Sequence, residues 1–261
     1  MPTALITGAS SGIGTVFARE LAARGYNLLV VARRQERLER LAVELTAKYG
    51  IEVEVLAIDL TRSEAATEVY RAVTAKNWTI DLLINNAGFG DFGEFAKGDR
   101  TKFSNMIQLN ISALVDLTYQ FLPQMQQRGK GSIINVASIA AFQALPYFSV
   151  YAATKAFVLS FSEALWAENQ KYGVNILALC PGPTQTEFFE VAKRDDLNDK
   201  NIELKSIATP EEVVKDALES LNAGVSNVVT GGLPNKLIVN LSRFLPRESL
   251  AKIIAKQFQP K

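Results

Sequence analysis

The strongest constraint on this chain is an alternation. Short apolar, β-branched runs are separated along most of its length by longer amphipathic stretches. The runs Thr3–Thr7, Asn27–Ala32, Ile51–Ala57, Ile80–Ile84, Ser132–Ala137, Val174–Leu179 and Asn227–Thr230 predict seven strands. They are apolar at successive positions, as strands buried on both faces are. Ile13–Arg24, Glu36–Tyr49, Arg100–Gln127, Tyr151–Tyr172 and Pro210–Asn222 carry helical patterns. Right-handed crossovers then give an α/β, doubly wound, seven-stranded parallel sheet with helices on both faces and a helical extension at the C-terminal end. No repeat or Pro/Ser-rich linker divides the sequence, so one continuous domain over 1–261 is expected.

Composition narrows the chemistry. The formal charge is +1, from 28 basic and 27 acidic side chains, so no general field attracts nucleic acid or anionic lipid. There is no histidine and only one cysteine, Cys180. Imidazole bases and zinc or iron–sulfur clusters are thereby excluded, and no metal is expected. Cys180 cannot form an intrachain disulfide, and no charged-then-apolar leader opens the sequence, so a cytoplasmic setting is the expectation. Apolar runs such as Leu28–Ala32 are too short to span a bilayer.

In a doubly wound sheet, ligands bind beyond the carboxyl ends of the strands. After the first strand comes Gly8-Ala9-Ser10-Ser11-Gly12-Ile13-Gly14, opening directly into a helix. Glycines there let the chain turn and let its amides approach a pyrophosphate, which the helix N-terminus favours. The Gly-x-x-x-Gly-x-Gly spacing departs from the general Gly-x-Gly-x-x-Gly dinucleotide fingerprint. The second strand ends in Arg33-Arg34, where an NAD-binding chain would carry a carboxylate. Forked guanidiniums suit a 2′-phosphate, so NADP(H) is preferred. Asp59 with Leu60 and Asn86-Ala87-Gly88 follow the third and fourth strands and could line the nucleotide, although Asp59 reads equally as a turn carboxylate.

Without histidine, the best acid–base candidate is Tyr151 with Lys155, one helical turn apart. A free tyrosine has a pKa of about 10. A neighbouring ammonium favours phenolate and lowers that value. Ser138 follows the fifth strand, and the loop between can return to place its hydroxyl beside Tyr151. Together with the glycine loop and Asn-Asn-Ala-Gly, these residues resemble the short-chain dehydrogenase/reductase family of Rossmann-fold enzymes. The resemblance runs in order from Thr3 to about Thr186 and more loosely to Thr230.

The resemblance implies an NADP-dependent carbonyl reductase or alcohol dehydrogenase. Tyr151 is then the general acid in reduction and the base in oxidation, Lys155 lowers its pKa and holds the nicotinamide ribose, and Ser138 orients the substrate oxygen. Asn110 helps hold a water that links Lys155 to solvent. Pro181, Gly182, Thr184 and Thr186 bind the nicotinamide carboxamide. Family members commonly form homodimers or homotetramers through the helices carrying Asn110 and Tyr151.

Phe89, Phe92, Ala144, Leu145, Phe148 and Phe188 are candidate substrate contacts, and their apolar character suggests a hydrophobic ketone, aldehyde or alcohol. The same aromatics could instead pack a loop on the core. Residues 184–207 are expected to form a substrate lid. In the C-terminal extension, 233–261, Leu237, Leu241, Phe244 and Leu245 fall at helical spacing beside Lys236, Arg243, Arg247, Lys252 and Lys256. Packing on the sheet or on another subunit is the preferred reading, and contact with a membrane or lipid substrate the other. Two alternative functions follow: a reductase for acyl-chain carbonyls at a membrane surface, and a non-catalytic NADP(H)-sensing protein. The sensor would be expected to have lost Ser138, Tyr151 or Lys155, and all three are present.

Overall fold

The structure, a computed structural model, describes residues 1–192, 207–241 and 244–259. Seven parallel strands form one sheet: β1 (Thr3–Thr7), β2 (Asn27–Ala32), β3 (Val53–Ala57), β4 (Leu82–Asn85), β5 (Gly131–Val136), β6 (Val174–Cys180) and β7 (Asn227–Val229). Their spatial order is β3-β2-β1-β4-β5-β6-β7, so the winding reverses between β1 and β4. A crevice opens beyond the carboxyl ends of strands that part in this way. The central strands β1, β4 and β6 are buried almost throughout, as their continuous apolar runs require, whereas β3 and β7 at the edges are only half-buried.

The α-helices are α1 (Gly12–Ala23), α2 (Gln35–Tyr49), α3 (Ala65–Ala75), α4 (Arg100–Ile107), α5 (Ala113–Arg128), α6 (Ser149–Asn169), α7 (Phe188–Val191), α8 (Pro210–Asn222), α9 (Gly232–Leu241) and α10 (Arg247–Phe258), and short 3₁₀ turns and one π-helical segment join them among the described residues. One apolar cluster joins α1, α2 and α8 to one sheet face through Phe17, Leu38 and Val213. A second joins α3 and α5 to the other face through Val69, Leu117 and Phe121. Two faces covered in this way explain why β1 and β4 show no polar alternation.

One expectation changes here. The helix predicted over Arg100–Gln127 is not continuous, because a π-helical segment, Gln108–Ser112, separates α4 from α5. Such segments insert an extra residue into a helix and redirect its side chains, here Asn110. The lid expected over 184–207 is described only at its ends, and 193–206 lie outside the described residues. In the extension, Arg243 and the side chain of Leu241 also lie outside them. Leu237 and Phe244 are exposed, whereas Val239 on α9 and Ile254 on α10 are buried, so the extension packs through other side chains than the expected ones. No helix among the described residues is long and apolar enough to cross a membrane.

Candidate active site

The tips of β1 and β4 are tied together by Thr7. Its hydroxyl accepts from the amides of Asn86 and Ala87 at 2.9 and 3.0 Å. The Asn86 side chain returns a bond of 2.9 Å to the Thr7 carbonyl and a longer one to that of Gly8. This clasp holds the glycine loop at the crevice. Gly8 has φ +66°, which L side chains rarely adopt, and a Cβ on Gly14 would lie 2.3 Å from the Gly8 carbonyl oxygen. The glycines at 8 and 14 are therefore demanded by backbone geometry and close approach respectively.

Ser11 stands at the N-cap of α1 but its side chain makes no capping bond. Its hydroxyl instead accepts from Arg34 at 2.6 Å, and the Ser10 hydroxyl accepts from the same guanidinium at 3.2 Å. The first-turn amides of α1 thus have no side-chain cap, an arrangement suited to an anion. Beyond the end of β3, the Asp59 carboxyl is held below its ordinary pKa. Burial pushes that pKa up, but bonds from the Thr61 amide and hydroxyl, with the Arg33 and Arg62 charges, outweigh it. Asp59 is thus engaged as a turn carboxylate while still facing the cleft.

The cleft has a volume of about 890 Å³. It runs from Arg33 and Arg34, past the glycine loop, Leu60 and Asn86–Gly88, to Ser138, Tyr151 and Lys155. Pro181, Gly182, Thr184 and Thr186 also line it, although the Thr184 hydroxyl turns back to the Gly182 carbonyl at 2.9 Å. Gly14 lies behind its wall.

At the inner end, Tyr151 and Ser138 both face the cleft, and the Ser138 side chain favours the phenolate of Tyr151. The Ser138 hydroxyl is itself positioned by the Ala140 amide, which donates to it at 3.1 Å. Burial pushes the tyrosine up to about 12, against the opposing effect of Ser138. Burial likewise pushes Lys155 down to about 8. The expected lowering of the Tyr151 pKa by Lys155 is absent in this geometry. Lys155 Nζ donates to the Val136 carbonyl at 2.7 Å and lies 5.8 Å from the tyrosine ring centroid.

Asn110 does not line the cleft. Its side chain accepts from the Phe89 amide at 3.1 Å and donates to the Phe89 carbonyl and the Thr154 hydroxyl, each at 3.0 Å. The π-helical segment thus uses Asn110 to fasten the β4 loop to α6, one residue before Lys155.

Four expected substrate contacts, Phe89, Leu145, Phe148 and Phe188, line the cleft. Phe188 packs on the Tyr151 ring at 5.2 Å and Phe148 at 5.9 Å. Phe92 and Ala144 are corrected. Phe92 lies tilted against Phe148 and Tyr147 outside the cleft lining, and Ala144 is exposed and outside that lining too. The sequence reading missed the wall supplied by α9 and α10, where Ile238, Leu250, Ile254 and Phe258 face the cleft. It also missed Arg37, three residues beyond Arg34 on α2, which pairs with Glu187.

The donor set fits a 2′-phosphorylated dinucleotide: glycine-loop amides, an uncapped helix start, two arginines and a buried lysine along one cleft. A family model for short chain dehydrogenases matches residues 2–197. A very-long-chain 3-oxoacyl-CoA reductase of Anas platyrhynchos is 31% identical over 260 residues, covering 97% of this chain and 78% of that protein. A short-chain dehydrogenase from Sphingobium yanoikuyae, solved in complex with NADPH, is 34% identical with a TM-score of 0.83, covering 97% of this chain and 95% of that one. The bulky-bulky ketone specific alcohol dehydrogenase from Comamonas testosteroni is 30% identical with a TM-score of 0.80, covering 100% and 99%.

Proposed function

The chain belongs to the short-chain dehydrogenase family, and from that membership we propose an NADP(H)-dependent oxidoreductase interconverting hydrophobic ketones or aldehydes and the corresponding alcohols. The observation that carries this reading is the convergence of Ser138, Tyr151 and Lys155 at the inner end of a cleft whose outer end holds the glycine loop and arginines. When bound, the cofactor supplies or accepts the hydride.

The chain's own residues do the rest. The amides of residues 8–14 and the start of α1 hold the pyrophosphate, Arg33 and Arg34 the 2′-phosphate, and Asp59 and Leu60 the adenine side. Asn86–Gly88 and Lys155 hold the nicotinamide ribose, and Pro181, Gly182, Thr184 and Thr186 the carboxamide. Ser138 and Tyr151 both donate to the substrate carbonyl oxygen, so that its developing negative charge meets two placed donors. Tyr151 then gives its proton to that oxygen and, in the reverse direction, takes it back. Asn110 positions Lys155 by fixing Thr154 beside it.

Loss of NADPH absorbance across a ketone series tests the substrate class. Activity is expected to rise with apolar size, and a preference for small polar carbonyls would overturn the reading. A second reading, reduction of long acyl-chain carbonyls, is favoured by the apolar wall from α9 and α10 and by the likeness to the 3-oxoacyl-CoA reductase. It predicts that activity keeps rising with chain length, and that Phe258→Ala removes the advantage of long chains while leaving short ones unaffected.

The cofactor assignment has its own test. Arg33→Ala with Arg34→Ala should raise the KM for NADPH by about ten- to a hundredfold, the loss of one or two charge-assisted bonds. NADH, which lacks the 2′-phosphate, should change little, and equal effects on both cofactors would refute the assignment. A homodimer or homotetramer is proposed on family grounds, and a cytoplasmic setting on the lone buried thiol of Cys180.

A further inference from the structure

One of the two arginines expected to receive the 2′-phosphate, Arg34, already holds an anion from the protein. Arg34 donates to Glu187 at 2.8 Å while keeping its bonds to Ser10 and Ser11. Arg37 donates to the other oxygen of the same carboxylate at 2.6 Å. One carboxylate thus bridges two guanidiniums, the geometry with which arginines clamp a phosphate. Arg37 first holds the Glu187 carboxyl below its ordinary pKa, then Arg34, so it is ionised at neutral pH.

Glu187 is not on α2 or the glycine loop. It lies at the N-cap of α7, on a segment that lines the cleft, 153 residues from Arg34 in the chain. The segment is anchored on both sides: Thr184 bridges to Ala208, and the Ala192 carbonyl accepts from the Phe92 amide at 3.1 Å. Between these anchors the carboxylate spans the cleft mouth to reach the arginines. All three side chains are about half exposed, so water and a competing anion can reach them.

We propose that Glu187 is an internal competitor for the 2′-phosphate of NADP(H), and that its exchange for that phosphate at Arg34 and Arg37 sets both the affinity and the selectivity for the phosphorylated cofactor. The inference rests on the NADP(H) reading above and adds two residues to it: Arg37 as a phosphate ligand, and Glu187 as the group displaced. Two like charges cannot share one pair of guanidiniums without strong repulsion, so each phosphate bound costs the two contacts to Glu187. NADH carries no group for these arginines and binds without that exchange. Selectivity for NADPH is therefore smaller than the arginines alone would give.

Direct binding separates this proposal from the cofactor reading. Dissociation constants for NADPH, NADH and adenosine 2′,5′-bisphosphate would be measured by calorimetry on the full chain, the Glu187→Gln variant and the Arg37→Ala variant. Glu187→Gln should tighten NADPH and the bisphosphate by about fivefold, as expected for two partly exposed ion pairs, and leave NADH unchanged. Arg37→Ala should weaken NADPH and the bisphosphate but not NADH. Raising the salt concentration should shrink the Glu187→Gln advantage, since the competition is ionic. If Glu187→Gln weakens NADPH, the carboxylate orders the arginines and does not compete, and the proposal is overturned. Equal tightening of NADH, or no change, overturns it too. A wild-type chain that binds NADH as tightly as NADPH would instead refute the cofactor reading itself.

Discussion

Tyr151→Phe should slow ketone reduction by about a thousandfold, the middle of the range for removing a positioned general acid, while NADPH affinity changes by less than about twofold. The substitution is close to a single-atom deletion. Tyr151 is buried, and its ring contacts with Phe148 and Phe188 are aromatic packing that phenylalanine reproduces. What disappears is the hydroxyl that faces the cleft beside Ser138. Unchanged melting temperature with lost turnover would place the defect in the chemistry; near-normal turnover would remove Tyr151 from the mechanism.

The direction of catalysis adds a second readout. Burial pushes the phenol up to about 12, so it is protonated throughout the neutral range. A protonated phenol is ready to donate, and reduction should be nearly independent of pH around neutrality. Alcohol oxidation needs the phenolate, whose fraction grows with pH, so the oxidation rate should climb toward alkaline pH and Tyr151→Phe should abolish the climb. A flat oxidation profile in the wild type would show that proton transfer is not what limits that direction.

What the sequence disclosed was set by how local each signal is. The glycine loop was legible because its demands are backbone demands: a left-handed φ at Gly8 and no room for a Cβ at Gly14. Alternating runs likewise marked the strands, with ends moved by a residue or two, as at β3, which begins at Val53, and β4, which begins at Leu82. The break at Asn110 was not legible. Its cause is tertiary: the side chain must reach both Phe89 and Thr154, and a π-helical residue provides that reach. Phe92 and Phe89 are both aromatics after Gly88, yet only Phe89 faces the cleft. The difference lies in a loop path that the hydrogen bond from the Phe92 amide to Ala192 settles.

Arg37 was within reach of the sequence. Three residues beyond Arg34 on a helix is the same face, and that spacing could have marked a second guanidinium for the phosphate. Its partner Glu187 could not have been found, because no periodicity connects a cleft-lining segment to α2. The tail is intermediate. Its helical spacing was legible, but the fact that α9 and α10 roof the cleft follows from where the chain leaves β7.

The free energy difference between the wild type and a Lys155→Met variant should depend on pH in a way that identifies the buried ammonium. Lys155 is 5% exposed, and burial pushes its pKa from 10.5 down to about 8. The folded value is therefore below the unfolded one. Between about 8 and 10.5 the unfolded chain holds the proton and the folded chain does not, so stability rises with pH across that window. Below it both states are protonated and the full cost of burying the charge is present. The window spans about 3 kcal/mol at 1.36 kcal/mol per unit. Methionine has a similar length and no charge, so it removes that cost but leaves the Val136 carbonyl without its 2.7 Å donor. An unpaired buried acceptor costs about 1–3 kcal/mol, which offsets the gain near neutrality. Urea midpoints of the two proteins should therefore lie close together at pH 7, and the wild type should become the more stable by about 3 kcal/mol toward pH 10.5. The surface lysines titrate in both proteins and cancel in the difference, and Cys180, whose charge interacts with that of Lys155, is replaced by alanine in both. A difference that does not change with pH would mean that Lys155 keeps its ordinary pKa inside the fold. At the same time Lys155→Met should lose most turnover, because no ammonium remains to hold the nicotinamide ribose. The charge that catalysis requires is thus one that folding tolerates at a cost, and the pH profile measures that cost directly.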